Sequence, residues 1–193
     1  MNPKLGKLLN LPNALSLIRV FLVPLILLFL SLKIDRVPYL PDLGEGRMTW
    51  GDLLAGSVFI IAALTDSLDG YIARKHKLVT TMGKFIDPLA DKVLVIAAMV
   101  ALVELQRVPA WMVVVIITRE FVVTGLRLVA SAEGVVIAAS PRGKIKTVFQ
   151  IVAISLLILR LPGGMALMWL AMFLTVWSGM DYLIGGAKLL IEE

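Results

Sequence analysis

Residues 66–91 read DSLDGYIARKHKLVTTMGKFIDPLAD. They place Asp66, Asp69, Asp87 and Asp91 within or at the ends of two strongly apolar segments, approximately residues 49–74 and 84–105. Asp66 and Asp69 are three positions apart and Asp87 and Asp91 four apart, so on helices each pair shares a face. Two antiparallel helices joined by the short link containing Lys75, His76 and Lys77 bring both pairs together at one end. A carboxylate placed inside a bilayer costs about 2.5–3.5 kcal/mol on insertion scales, so four together require a compensating cation. The chain has 0 cysteines and a single histidine, His76, which reads as a solvated loop residue. Four carboxylates without sulfur or imidazole form a hard oxygen site, which favours Mg²⁺ or Mn²⁺ over Zn²⁺. They can hold two divalent ions, the arrangement that clamps the attacking and leaving oxygens of a phosphoryl displacement.

Beyond this stretch, 59% of the 193 residues are hydrophobic and 17% charged. Soluble domains run at about 45–50% apolar and roughly 25% charged. Mean hydropathy is +0.92, and the apolar excess lies in long runs. A helix needs about 20 predominantly apolar residues to cross the hydrocarbon core. Six segments meet that criterion, at approximately residues 12–32, 49–74, 84–105, 109–131, 143–161 and 164–189. Breaker and charge clusters separate them, among them Arg107-Val108-Pro109, Ser140-Pro141-Arg142-Gly143 and Leu161-Pro162-Gly163-Gly164. The expected fold is an all-α integral membrane protein, a bundle of six transmembrane helices forming one domain over residues 1–193. A short amphipathic helix over residues 1–10 is expected to lie on the membrane surface, with Leu5, Leu8 and Leu9 set against Lys4 and Lys7. The first apolar run, Ala14 to Leu32, is too long for the core of a cleavable signal peptide.

An even number of spans puts both termini on one side. That side holds Lys4, Lys7, Arg74, Lys75, Lys77, Arg142, Lys144, Lys146 and Lys188. The other side holds Lys33, Arg36, Arg47, Arg107 and Arg160, diluted by Asp35, Asp42, Glu45 and Glu104. The excess of basic residues makes the first side cytoplasmic, and the aspartate cluster with it. The formal net charge of +5 points to anionic head groups or anionic substrates rather than nucleic acid.

Small residues sit beside the acids. Gly70 follows Asp69, and Ala73 lies one turn beyond it. Glycine within a helix costs about 1 kcal/mol relative to alanine, so a packing or ligand reason is expected. Arg74 flanks the same face and suits a phosphate group. Gly83 frees space ahead of the second acidic pair.

The pattern Asp66-x2-Asp69-Gly70-x2-Ala73-Arg74-x8-Gly83-x3-Asp87-x3-Asp91 resembles, in full, the signature of the CDP-alcohol phosphotransferase family. Eight fixed positions at about one in twenty each match by chance on the order of 10⁻¹⁰ per start. The resemblance implies a six-helix membrane enzyme, often dimeric. Such an enzyme moves a phosphatidyl or related group from a CDP-linked donor to an alcohol and releases CMP. By the same resemblance Asp66, Asp69, Asp87 and Asp91 bind metal, and Asp91 is the base that deprotonates the acceptor hydroxyl. Asp66, Asp69, Gly70, Ala73, Arg74, Gly83 and Lys84 form the donor site, with CDP-diacylglycerol as donor.

The remaining charges inside the spans bear on the acceptor. Arg119 and Arg127 are eight residues apart, about two turns, and so nearly on one face. Lys144 opens the next segment. Two guanidinium groups and an ammonium converging near the acidic site suit a phosphate dianion, so the acceptor is expected to carry a phosphate itself. Glu120 and Glu133 are placed to hold the arginines. Thr118-Arg119-Glu120 with Arg127, Gly143-Lys144-x-Lys146-Thr147, and residues Leu11 to Arg19 resemble the branch of the family whose acceptor is glycerol 3-phosphate. That branch assigns Arg119, Arg127 and Lys144 to the acceptor phosphate, with Asn13 and Arg19 bordering the site. Asp181 is expected to pair with a basic residue of another helix. Other family acceptors (inositol phosphate, serine, phosphatidylglycerol) are the nearest rival reading. A divalent-cation channel or carrier is the rival of another class, opposed by the lack of acids between the cluster and Asp52 or Glu104 at the far ends.

Overall fold

The computed structural model describes the backbone of residues 11–32, 37, 46–75, 81–132 and 141–191, and side chains within 17–32, 37, 46–65, 92–130, 143 and 145–180. Six helices account for nearly all of it: α1 (Leu11–Ser31), α2 (Trp50–Lys75), α3 (Thr81–Glu104), α4 (Ala110–Ala132), α5 (Pro141–Ile158) and α6 (Gly164–Ile191). They coincide with the six expected segments to within a few residues. The expected surface helix at residues 1–10 lies outside the described residues.

Each helix buries one stripe. On α1 the buried positions are Arg19, Val23, Ile26 and Leu30, spaced by four and three. On α2 they include Asp52, Ala55, Phe59 and Ala62. Residues from all six helices meet in one core, among them Ile26, Phe59, Met99, Ile116, Ile154 and Met168. Helix α1 packs on α2 and α3, α6 packs on α4 and α5, and α5 reaches back to α2 and α3. The α1–α2 crossing is close because of Gly51: a Cβ there would stand 2.4 Å from the Phe29 carbonyl oxygen.

The outward faces are also apolar. Phe21, Ile61, Leu64, Val100, Phe121, Leu128, Val148, Phe173 and Met180 are all exposed, from every helix of the bundle. Among the described residues no helix is long and apolar enough to cross a membrane. The apolar run of α4 is interrupted by Arg119, Glu120 and Arg127.

One end of the bundle is tied by ions. Asp52 lies in the first turn of α2, in a reciprocal capping pair with Thr49: Asp52 N–H donates to Thr49 Oγ1 at 3.1 Å and Thr49 N–H to Asp52 Oδ2 at 3.0 Å. The same carboxylate accepts Arg107 Nη2 at 2.5 Å and Arg160 Nε at 3.0 Å. Both arginines sit at helix ends built alike. After α3, Gln106 is left-handed (φ 58), with Arg107 N–H donating to Leu102 O and Gln106 N–H to Val103 O. After α5, Arg160 is left-handed (φ 51), with Leu161 N–H donating to Leu156 O. Arg107 Nη1 also donates to the Leu157 and Ile158 carbonyls, placing a cation at the C-terminus of α5. Burial lowers the Arg107 pKa from its ordinary value, and Asp52 pulls against that shift. The far-end acid is therefore bound to two arginines and does not prolong an acidic path through the bundle.

Candidate active site

Helices α2 and α3 carry the acidic signature on either side of residues 76–80. Asp66 and Asp69 belong to the C-terminal half of α2, Asp87 and Asp91 to the N-terminal half of α3. All four thus lie at the end of the bundle opposite Asp52. Their side chains, and those of Gly70, Ala73, Arg74, Gly83 and Lys84, lie outside the described residues. So do the side chains of Asn13, Glu133, Lys144 and Asp181, and His76 altogether. Among the described residues no group of three or more potential metal ligands occurs.

The described residues reach the edge of the acidic segment at two points. Ala63 lies one turn before Asp66, and Lys92 follows Asp91. Both line a cavity of about 270 Å³ between α1, α2, α3, α4 and α5. Its polar wall is Arg19, Lys92, Glu120, Arg127, Thr147 and Gln150; its apolar floor includes Met99 and Ile151. Ligand pockets typically measure about 300–1,000 Å³, so this cavity is near the size that takes a small molecule. Arg19 is 2% exposed, and a guanidinium so deep in a bundle needs an electrostatic reason.

Glu120 organises the cations around the cavity. Its Oε2 accepts Lys92 Nζ of α3 at 2.7 Å. Its Oε1 accepts Lys146 Nζ of α5, and Arg119 Nη1 at 3.2 Å. Arg119 extends further, donating from Nη2 to Ser178 Oγ of α6 at 2.7 Å. Gly179 makes room for it: a Cβ there would come within 2.9 Å of Arg119 Cγ. Arg119 and Arg127 therefore end in different places. Arg127 lines the cavity, whereas Arg119 runs beside Glu120 to α6. Glu120 does hold Arg119, as the sequence leads one to expect, but it holds two lysines as well. Lys92 stands outside every sequence motif, and Lys146 figures in the sequence only in a motif and in the count of cytoplasmic cations. A glutamate in the middle of an apolar span demands cations from neighbouring spans, and Lys92 and Lys146 are the lysines that α3 and α5 place at that depth.

The sequence matches the family model described as CDP-alcohol phosphatidyltransferase over residues 9–177. The chain is similar to the CDP-diacylglycerol–glycerol-3-phosphate 3-phosphatidyltransferase of Bacillus subtilis (strain 168), with 46% identity over 181 residues, covering 90% of this chain and 93% of that protein. It is 39% identical to a probable phosphatidylglycerophosphate synthase of Mycobacterium tuberculosis (strain CDC 1551 / Oshkosh), over 95% of this chain and 87% of that one. It is 37% identical to the CDP-diacylglycerol–glycerol-3-phosphate 3-phosphatidyltransferase of Haemophilus influenzae, over 90% and 91% of the two chains.

Proposed function

The chain belongs to the CDP-alcohol phosphatidyltransferase family, and on that premise we propose that it transfers a phosphatidyl group from CDP-diacylglycerol to glycerol 3-phosphate. The products are CMP and phosphatidylglycerol phosphate. Near-full-length similarity to enzymes named for this reaction supports the assignment. The observation that carries the acceptor is the small cavity beside Lys92, whose wall includes Arg19 and Arg127.

The family uses divalent cations, and the donor set fits them. Asp66, Asp69, Asp87 and Asp91 supply only hard oxygen atoms, and we assign them two Mg²⁺ or Mn²⁺ ions. Bound there, such ions neutralise charge on the donor diphosphate and on the departing CMP. The chain's own residues do the rest. Asp91 accepts the proton of the acceptor hydroxyl as it attacks phosphorus. Gly70 and Ala73 leave space for the cytidine diphosphate, Arg74 and Lys84 contact its phosphates, and Gly83 borders the nucleotide. Arg127 and Lys144 hold the acceptor phosphate, which orients the hydroxyl toward Asp91, and Arg119, expected from the sequence beside them, supports the site through Glu120.

The protein acts as a multi-pass protein of the cell membrane, with the site on the cytoplasmic side, as a homodimer. Large apolar side chains facing outward from all six helices support lipid contact. Lys and Arg bias supports the orientation. The deciding experiment supplies CDP-diacylglycerol with glycerol 3-phosphate, inositol phosphate or serine and measures CMP release. Release with glycerol 3-phosphate alone is expected; release only with another acceptor overturns the assignment.

A further inference from the structure

Glu120 is 17% exposed at its side chain and gathers cations from three helices: Lys92 of α3, Arg119 of its own helix α4, and Lys146 of α5. Nothing in the aspartate signature requires such a group. We propose that Glu120 is a positioning residue for the acceptor: it fixes the segment of α3 carrying Asp91 at a set distance from the cations of α4 and α5. This rests on the acceptor reading above and adds the element that holds its parts in register.

Three observations carry it. First, Lys92 is the residue after Asp91, so a hold on its ammonium fixes the rotation and height of α3 where the base is mounted. Second, Glu120 uses both oxygens, Oε2 toward α3 and Oε1 toward α5. A carboxylate bonded on both sides sets a spacing, whereas a single ion pair between exposed groups constrains little. Third, two lysines share this one carboxylate, so the Lys92–Glu120–Lys146 bridge keeps a net positive charge. An ion pair serving only to neutralise a buried charge closes at zero. Among the described residues no second carboxylate joins this bridge, and it borders the cavity lined by Arg19 and Arg127, where an acceptor phosphate benefits from the positive charge.

The test uses the full-length enzyme in detergent or bilayers, with each substrate varied in turn. Glu120→Gln keeps the size and removes the charge. The expected result is a rise of about tenfold or more in the KM for glycerol 3-phosphate together with a fall in kcat, while the KM for CDP-diacylglycerol stays within about twofold. Glu120→Asp keeps the charge but shortens the reach, and should fall between the two. Glu120→Gln strands the buried ammonium of Lys146, so folding is controlled with Glu120→Gln/Lys146→Met, which removes the charge with its partner. That double variant should recover thermal stability without recovering acceptor KM. Thermal protection by inorganic phosphate and by glycerol 3-phosphate gives a readout apart from turnover. If the wild type releases no CMP with glycerol 3-phosphate yet is protected by phosphate, and Glu120→Gln loses that protection, the acceptor's identity falls but the positioning role stands. If Glu120→Gln differs from wild type in stability alone, with acceptor KM, kcat and protection unchanged, the positioning role is overturned.

Discussion

Arg107 and Asp52 lie 55 residues apart in sequence and meet at 2.5 Å, Nη2 to Oδ1, at the end of the bundle away from the acidic signature. The contact joins the start of α2 to the turn between α3 and α4, and through the Leu157 and Ile158 carbonyls to the end of α5. Asp52→Asn removes the carboxylate that Arg107 and Arg160 share. Breaking one side of a buried ion pair costs about 3–5 kcal/mol. A clear fall in the thermal unfolding midpoint of the purified protein is expected, and an unchanged midpoint contradicts the clasp.

Gly51 and Gly125 provide opposed tests of packing. A Cβ at Gly51 meets backbone, the Phe29 oxygen at 2.4 Å, whereas one at Gly125 meets nothing within 4 Å. Backbone cannot swing aside as a side chain can, so Gly51→Ala should force α1 and α2 apart and destabilise by about 1–3 kcal/mol. Gly125→Ala should leave stability unchanged or raise it by up to about 1 kcal/mol through helix propensity. Thermal unfolding of the two variants in parallel checks both signs.

Turnover should depend strictly on a divalent cation. Four carboxylates brought together as proposed would repel one another and a diphosphate, and only a cation reverses that. Exhaustive chelation should abolish CMP release, and readdition of Mg²⁺ or Mn²⁺ should restore it. Full activity in the chelated enzyme refutes the metal assignment of Asp66, Asp69, Asp87 and Asp91.

Asp91→Asn should eliminate turnover while retaining most donor binding, because an amide keeps the carboxylate's shape but cannot take up the proton. Binding of CDP-diacylglycerol by the variant, set beside its rate of CMP release, checks this. A wild-type rate removes Asp91 from the role of base.

Arg127→Ala should raise the glycerol 3-phosphate KM by about tenfold or more, since a charged hydrogen bond contributes about 1.5–3 kcal/mol, and Arg119→Ala, which acts through Glu120, by less. They should differ in stability. Arg119 also ties α4 to Ser178 of α6, so its loss should lower the unfolding midpoint more than the loss of Arg127. Steady-state kinetics and thermal unfolding of the two variants separate the effects. A rise in donor KM instead of acceptor KM misplaces the acceptor pocket.

The helices were legible because hydropathy and breakers are local. Expected segments 109–131 and 164–189 correspond to α4 and α6, and Pro109 and Pro162 mark the turns before them. The chemistry assigned to the four aspartates comes from their spacing alone, and their side chains lie outside the described residues. The pairings between helices were not legible. Asp52 read only as a far-end acid, because its contacts with Arg107 and Arg160 depend on how three helix ends meet. Thr49 and Asp52, three apart ahead of an apolar run, did carry a capping signal. Similarly, eight-residue spacing put Arg119 and Arg127 on one face, yet Ser178 and Gly179 of α6 draw Arg119 aside. Which way a long side chain reaches is decided by the helix packed beside it, which no periodicity reports.

The far-end clasp also has a mechanical meaning. From Asp52 to Asp66 the helix runs 14 residues, about 21 Å at 1.5 Å per residue. With one end pinned, α2 behaves as a lever, and a tilt of about 3° displaces its backbone at residue 66 by about 1 Å. Misplacement of about that size can lower a rate a hundredfold. A substitution in the pinned end can thus slow the reaction from about 21 Å away, with no substrate ever touching the altered residue.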